Sequence, residues 1–132
     1  MSNVLVDTNV VSYAFKRDSR HILYRSHLAN NFLAISFMTL AELDAWADIH
    51  NWGLRKREEL AAFLSNYIVV ESDRELCRAF GSIRQQATRQ GRFIETSDAW
   101  IAATALLYQI PLVSHNRKHF DWIKGLQLIS ES

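Results

Sequence analysis

The sequence predicts an α/β fold in which a parallel sheet carries helices on both faces. Three observations lead there. Short runs of β-branched and apolar residues alternate along the chain with longer stretches of helical period. Most of those runs are apolar throughout, as in strands covered on both sides. Right-handed crossovers between parallel strands then gather the strand ends that feed helices onto one edge of the sheet.

Val4-Leu5-Val6 is the first expected strand, with helices over Val10–Phe15 and Arg20–Ala29 after it. Phe32–Phe37 is the second strand, followed by helical stretches Thr39–His50 and Leu54–Ser65. Tyr67–Val70 is the third, leading into a long helix over Asp73–Gln90 and another over Ser97–Tyr108. In that last helix Asp98, Ile101, Ala102 and Ala105 fall at i, i+3, i+4 and i+7, so they share a face. Its alanines allow close approach to the sheet, with the Asp98 carboxylate at the helix end. Pro111–Ser114 is the fourth strand, Lys118–Ile123 a short turn, and Leu126–Ile129 a short fifth strand.

A length of 132 residues suits one core, and the whole span 1–132 reads as one domain. Hydrophobic residues at 48% and charged residues at 22% are a globular balance and exclude a disordered chain. No apolar run reaches the length of a membrane span, so no membrane association is expected. The apolar start is broken by Asp7 and has no basic leader, unlike a signal peptide. The single cysteine, Cys77, excludes an internal disulfide and a thiolate metal site. It points to a reducing, cytoplasmic setting, with Cys77 itself expected as a small buried hydrophobe. There is one proline, there are four glycines, and neither a linker nor a repeat marks a boundary.

The net charge of +1 excludes a bulk polycation. Setting four acids aside for a site leaves 10 acids against 15 Lys and Arg, a surplus of +5 elsewhere. That distribution suits a polyanion approaching a pocket whose acids are neutralised by metal.

Sites in parallel sheets form beyond the carboxyl ends of the strands. Asp7-Thr8-Asn9 follows the first strand, Met38 to Glu42 the second, and His115-Asn116-Arg117 the fourth, while Asp98 opens the helix that leads to the fourth strand. Each acid has a local explanation. Asp7 would cap the next helix, Glu42 lies three residues after Thr39 as in a capping box, and Asp98 in a first turn favours the helix dipole. Capping accounts for each acid separately; a shared site accounts for all three at once. Carboxylates gathered there would suit Mg²⁺, a hard cation that binds one or two carboxylates together with substrate phosphate. Paired ions would clamp the attacking and leaving oxygens of an in-line displacement.

At these residues the chain resembles PIN-domain proteins. Val4 to Val10, Met38 to Leu43 and Ser97 to Ala105 are similar to the three signature blocks of that family. Leu112 to Phe120, with Ile123 to Leu126, is similar to its closing block. The blocks run from about residue 3 to about residue 129, and with the chain length they resemble the VapC-type toxins of bacterial toxin–antitoxin pairs. The resemblance implies a three-layer α/β/α sandwich on a five-stranded parallel sheet. It implies a Mg²⁺- or Mn²⁺-dependent endoribonuclease acting on structured RNA, often transfer RNA and sometimes ribosomal RNA. A VapB-type antitoxin occupying the site and a homodimer are implied as well.

Asp7, Glu42 and Asp98 match the family's acidic positions, with Asp7 and Asp98 as the main metal ligands and Glu42 as a ligand, directly or through water, or as the group orienting the nucleophilic water. The fourth position departs from the pattern: many relatives have an acid where this chain has Asn116, and Asp121 matches another place where relatives carry one. Either completes the site, Asp121 first. Thr8, Asn9 and Ser114 are candidate supports, with capping or strand-end roles as the local alternatives. Arg117 and Lys118 are the first candidates for RNA contact, ahead of Arg74, Arg78, Arg84, Arg89 and Arg92 on the long helical stretch. His115 and His119 lack a zinc-ligand pattern and are expected in structural or substrate-contact roles. Trp46, Trp52, Trp100 and Trp122 are either core aromatics or base-stacking groups.

Two rival readings differ in class. An aspartate after a first strand also begins the haloacid-dehalogenase type of phosphatase, but that chemistry has a second Asp two residues on, where this chain has Asn9. The other rival is a catalytically degenerate PIN domain that binds RNA or protein, for which Asn116 is the best support.

Overall fold

The computed structural model describes residues 1–132. Its elements run β1 (Asn3–Val6), α1 (Thr8–Lys16), α2 (His21–Ala29), β2 (Phe32–Ser36), α3 (Phe37–Ile49), α4 (Leu54–Leu64), β3 (Ile68–Val70), α5 (Arg74–Arg89), α6 (Thr96–Tyr108), β4 (Leu112–Val113), α7 (Arg117–Phe120) and β5 (Leu128–Ile129). The five strands form one sheet in the order β3-β2-β1-β4-β5. Every pairing is parallel, including β1 with β4 in the register Leu5↔Leu112 and Val6↔Val113.

The continuous apolar runs are explained by the layers. Val4 and Val6 point into one core cluster and Leu5 into the other; Ile35 and Ala34 divide in the same way, as do Val113 and Leu112. With side chains alternating across the pleat, a strand needs apolar residues at every position only when both faces are covered. Val10, Val11, Tyr24, Leu28, Leu60 and Leu64 bring α1, α2 and α4 to one face. Leu76, Ile83, Ile101 and Phe120 bring α5, α6 and α7 to the other. Leu5 and Leu112 are fully buried, and cutting either back to alanine would cost about 2–5 kcal/mol.

Several boundaries differ from the sequence reading. Phe37 starts α3 instead of ending β2, because Ser36 Oγ accepts a 3.0 Å bond from the Met38 N–H and turns the strand directly into a helix. The Thr39–Glu42 capping box therefore does not form, and Glu42 sits in the second turn of α3. The cap of α6 is Glu95, whose side chain makes no capping bond, and Asp98 lies in the first turn as the dipole reading expects. Residues 99 and 101–105 of α6 are all buried, more than one stripe, because α5 and the sheet cover it from two sides. Cys77 is exposed, not buried: it follows Leu76 on α5 and is turned about 100° away from the core-facing row of Leu76, Ile83 and Ala87. No helix is long and apolar enough to cross a membrane.

Connections from β1 to β2 and β3 run one way across the sheet, and the chain then returns to place β4 on the other side of β1. The reversal leaves a crevice beyond the carboxyl ends of β1 and β4, the usual position of a site in such sheets.

Candidate active site

A cleft of about 430 Å³ lies at that reversal. Asp7, Thr8, Asn9, Glu42, Asp98 and Asn116 form its polar wall, and Ala45, Trp46 and Ile49 continue it along α3. A larger groove of about 580 Å³ elsewhere, lined by residues such as Arg25, Phe32 and Tyr67, contains no acid.

Asp7 is the deepest of the three acids, 3% exposed. Its backbone N–H continues the sheet ladder by donating to Val113 O at 2.9 Å. One carboxylate oxygen, Oδ1, accepts the Thr8 N–H at 2.8 Å, so Asp7 does cap α1. The other, Oδ2, accepts from Ser114 Oγ at 2.6 Å. Ser114 Oγ in turn accepts the Asn116 N–H at 3.0 Å. Capping and a place in the cleft are thus compatible, because a carboxylate has two oxygens.

Glu42 is held by Thr8, whose Oγ1 donates to Oε1 at 2.7 Å while pairing with Thr39 Oγ1 at 2.9 Å. Thr8 therefore touches both acids, Asp7 through its backbone and Glu42 through its side chain. Asp98 occupies the first turn of α6, and its Oδ2 lies 3.0 Å from His119 Nδ1 on α7. Asn9 Oδ1 accepts the His115 N–H at 3.4 Å and ties α1 to the segment after β4.

All three carboxyls hold their protons more tightly than in water. Burial is the main cause for Asp7, pushed up to about 6 even though the Ser114 hydroxyl and the Thr8 N–H pull it down; the charges of Asp98 and Glu42 push it further up. Glu42 is raised by burial first and by Asp98 as well, against the Thr8 bond. Asp98 is raised by burial, against His119. Asp7 senses the charges of Asp98 and Glu42, and Glu42 that of Asp98, as groups sharing one site do.

The PIN-domain family model matches residues 4–125. The chain belongs to the PIN-domain family. It is 30% identical over 127 residues to ribonuclease VapC2 of Haemophilus influenzae, covering 96% of each chain. It is 28% identical to the tRNA(fMet)-specific endonuclease VapC of Shigella flexneri, again over 96% of each. Among solved structures, VapBC2 of Rickettsia felis, bound to a DNA fragment from their promoter, superposes with a TM-score of 0.86 at 26% identity, covering 98% of this chain and 99% of that one.

The cleft of this PIN domain brings together Asp7, Glu42, Asp98 and Asn116, but not Asp121. Asp121 ends α7, exposed and without a side-chain hydrogen bond, because the short helix turns it outward while Phe120 is buried. Asn116 lines the cleft with its amide free of any capping bond. Ser114 is more than a strand-end serine, since its hydroxyl holds Asp7. Arg117 is turned from the cleft: its guanidinium donates to Ser130 O at 2.6 Å and Ser132 O at 3.4 Å. Lys118 is exposed and makes neither a salt bridge nor a hydrogen bond through its side chain.

Sequence reasoning missed His119 as a partner of Asp98 and, though it named Trp46 as a stacking candidate, did not place it beside Glu42. His119 lies three residues beyond Asn116, one turn along α7, a spacing that would have suggested a shared face. Trp46 and Ile49 lie four and seven residues after Glu42, on its face of α3. Lys16 Nζ sits 3.8 Å over the Trp46 ring. Trp100 is a packing residue, stacked on Phe80 at 4.2 Å, and His115 is engaged by the Tyr24 hydroxyl.

The donors in this PIN domain are hard oxygens, which suit a hard divalent cation. The Asp, Glu, His and Cys side chains form no group of three placed to hold a metal ion by themselves, so a cation here would take one or two carboxylates directly and complete its shell with water, as Mg²⁺ commonly does.

Proposed function

We propose that the cleft is the active site of a Mg²⁺- or Mn²⁺-dependent endoribonuclease that cleaves structured RNA, transfer RNA first and ribosomal RNA second. The supporting observation is the meeting of Asp7, Glu42 and Asp98 in one cleft, from positions 35 and 56 residues apart along the chain, in a family whose VapC members are named as ribonucleases. Residues 1–132 act as a single nuclease domain in this reading, working in the cytoplasm as a homodimer. A VapB-type antitoxin holds the enzyme in check, in line with the VapBC complexes to which the fold is similar.

Asp7 and Asp98 would hold the cation, with Glu42 as a ligand through water or as the acceptor that orients the attacking water. A cation bound there would make water more acidic and offset charge on the phosphate. Ser114 and the Thr8 N–H keep Asp7 oriented and favour its ionised form. Thr8 fixes the rotamer of Glu42. Asn116 offers a neutral amide to water or a phosphate oxygen, where an acid would repel the substrate. The cut leaves 5′-phosphate and 3′-hydroxyl ends.

Expression without an antitoxin, followed by mapping of new 5′ ends in cellular RNA, tests the activity and identifies the substrate together. Growth arrest with a dominant cut is expected, and D7N abolishes both while the protein stays folded. Neither arrest nor cut in the wild type would favour the degenerate, binding-only reading that Asn116 allows. Unchanged cutting by D7N would overturn the site.

A further inference from the structure

The four-residue helix α7 touches the cleft at both ends. At its start the Asn116 N–H donates to Ser114 Oγ, which holds Asp7. One turn on, His119 Nδ1 meets Asp98 Oδ2 at 3.0 Å. Between them and just beyond, α7 is anchored: Phe120 is fully buried in the core, and Trp122 Nε1 donates to His119 O at 2.9 Å. His119 is the only side chain bonded to Asp98, whose other oxygen takes no protein partner. Asp98 has a side-chain exposure of 13% against 51% for His119, so the imidazole approaches from the rim and covers one face of a sheltered carboxylate.

We propose that His119 is a positioning residue for the metal site: it holds Asp98 Oδ2 through Nδ1–H, turns Oδ1 toward the cleft, and with α7 sets the spacing between the carboxylates of Asp98 and Asp7. The inference rests on the reading of Asp7 and Asp98 as cation ligands. Its physical basis is that a ligand already held in its binding rotamer loses less freedom when the ion arrives, and groups that orient ligands commonly contribute about 10- to 100-fold to metal affinity. An ionised Asp98 can only accept, so the ring must present Nδ1–H.

Mn²⁺ binding to the intact protein, followed by electron paramagnetic resonance at a fixed pH near 8, tests this without turnover. H119A is expected to weaken binding by about 10-fold or more, with circular dichroism and melting temperature near wild type because His119 is half exposed. H119N, whose amide N–H reaches the position of Nδ1–H, is expected to recover most of the loss. Wild-type affinity in H119A would overturn the proposal and leave the metal site standing. Equal weakness in H119A and H119N would also overturn it, since the hydrogen bond would then not be the cause. A wild type that binds no Mn²⁺, as D7N is expected not to, would remove the site itself and the role of His119 with it.

Discussion

Ser114 Oγ donates to Asp7 Oδ2 at 2.6 Å, joining residues 107 apart in sequence. The bond favours the ionised form of a carboxylate that burial disfavours. Replacing Ser114 by Ala leaves Asp7 and the Asn116 N–H each short of a partner. The expected result is a loss of about 1–3 kcal/mol in urea unfolding at neutral pH. The difference should narrow toward pH 4, where Asp7 is protonated and needs the donor less. A constant difference at all pH values would mean that packing, not charge, is what S114A removes.

Asp7→Asn should inactivate the protein and gain stability relative to the wild type as pH rises. The carboxyl is raised from 3.8 to about 6 on folding, so the folded state holds the proton more tightly than the unfolded state. Its contribution is therefore fully favourable only below pH 4 and is lost as pH rises through 6. At pH 8 the ionised, buried group costs on the order of 3 kcal/mol, taking about 1.4 kcal/mol for each unit of pH. In EDTA, the urea midpoint of D7N relative to wild type is expected to rise between pH 4 and pH 8. A difference that stays constant across that range would show that Asp7 is not under this strain.

Metal binding should itself be pH dependent. The carboxyls of Asp7, Glu42 and Asp98 are all raised, and an ion must displace whatever protons they hold. Mn²⁺ affinity is expected to be level from about pH 7.5 upward and to fall steeply below about pH 6, the range in which Asp7 takes up its proton. Calorimetric titration across that range checks it. An affinity that does not change between pH 5.5 and pH 8 would be inconsistent with the raised carboxyls.

Two neighbouring cations should behave differently toward RNA. Lys118 is free, whereas Arg117 is spent on the carbonyls of Ser130 and Ser132. K118A is expected to weaken RNA binding and to reduce the slope of log K against log salt by about 0.7–1. R117A should leave that slope unchanged and instead speed amide exchange in Leu128 and Ile129. The reverse pattern would restore Arg117 as the phosphate contact.

Much of this was legible because each strand carries its burial in its composition. Val4–Val6 and Leu112-Val113 could only be two-sided strands, and the acids beyond β1 and β2 and at the head of α6 stood out as polar residues at ends that the topology gathers. Less legible were features decided by a single competing atom. Ser36 captures the Met38 N–H, and so moves the start of α3 and makes Thr39 a partner of Thr8. The choice between Asn116 and Asp121 depends on which way a four-residue helix turns, and that is set by the burial of Phe120, not by either polar residue. The Asn116–His119 spacing could place His119 on the face of Asn116, but its contact with Asp98 needs α6 and α7 docked before it exists.

The place of β4 in the sheet has a consequence for synthesis. β1 gains its second neighbour only when Leu112 and Val113 arrive, and the hydroxyl that steadies Asp7 comes one residue later. A ribosome-bound chain that has just exposed β1 to α5 already displays Asp7 and Glu42, yet lacks the strand that would close the crevice around them. Asp98 on α6 is also still to be exposed at that stage, so the three acids cannot share one cleft until the segment through Ser114 has emerged.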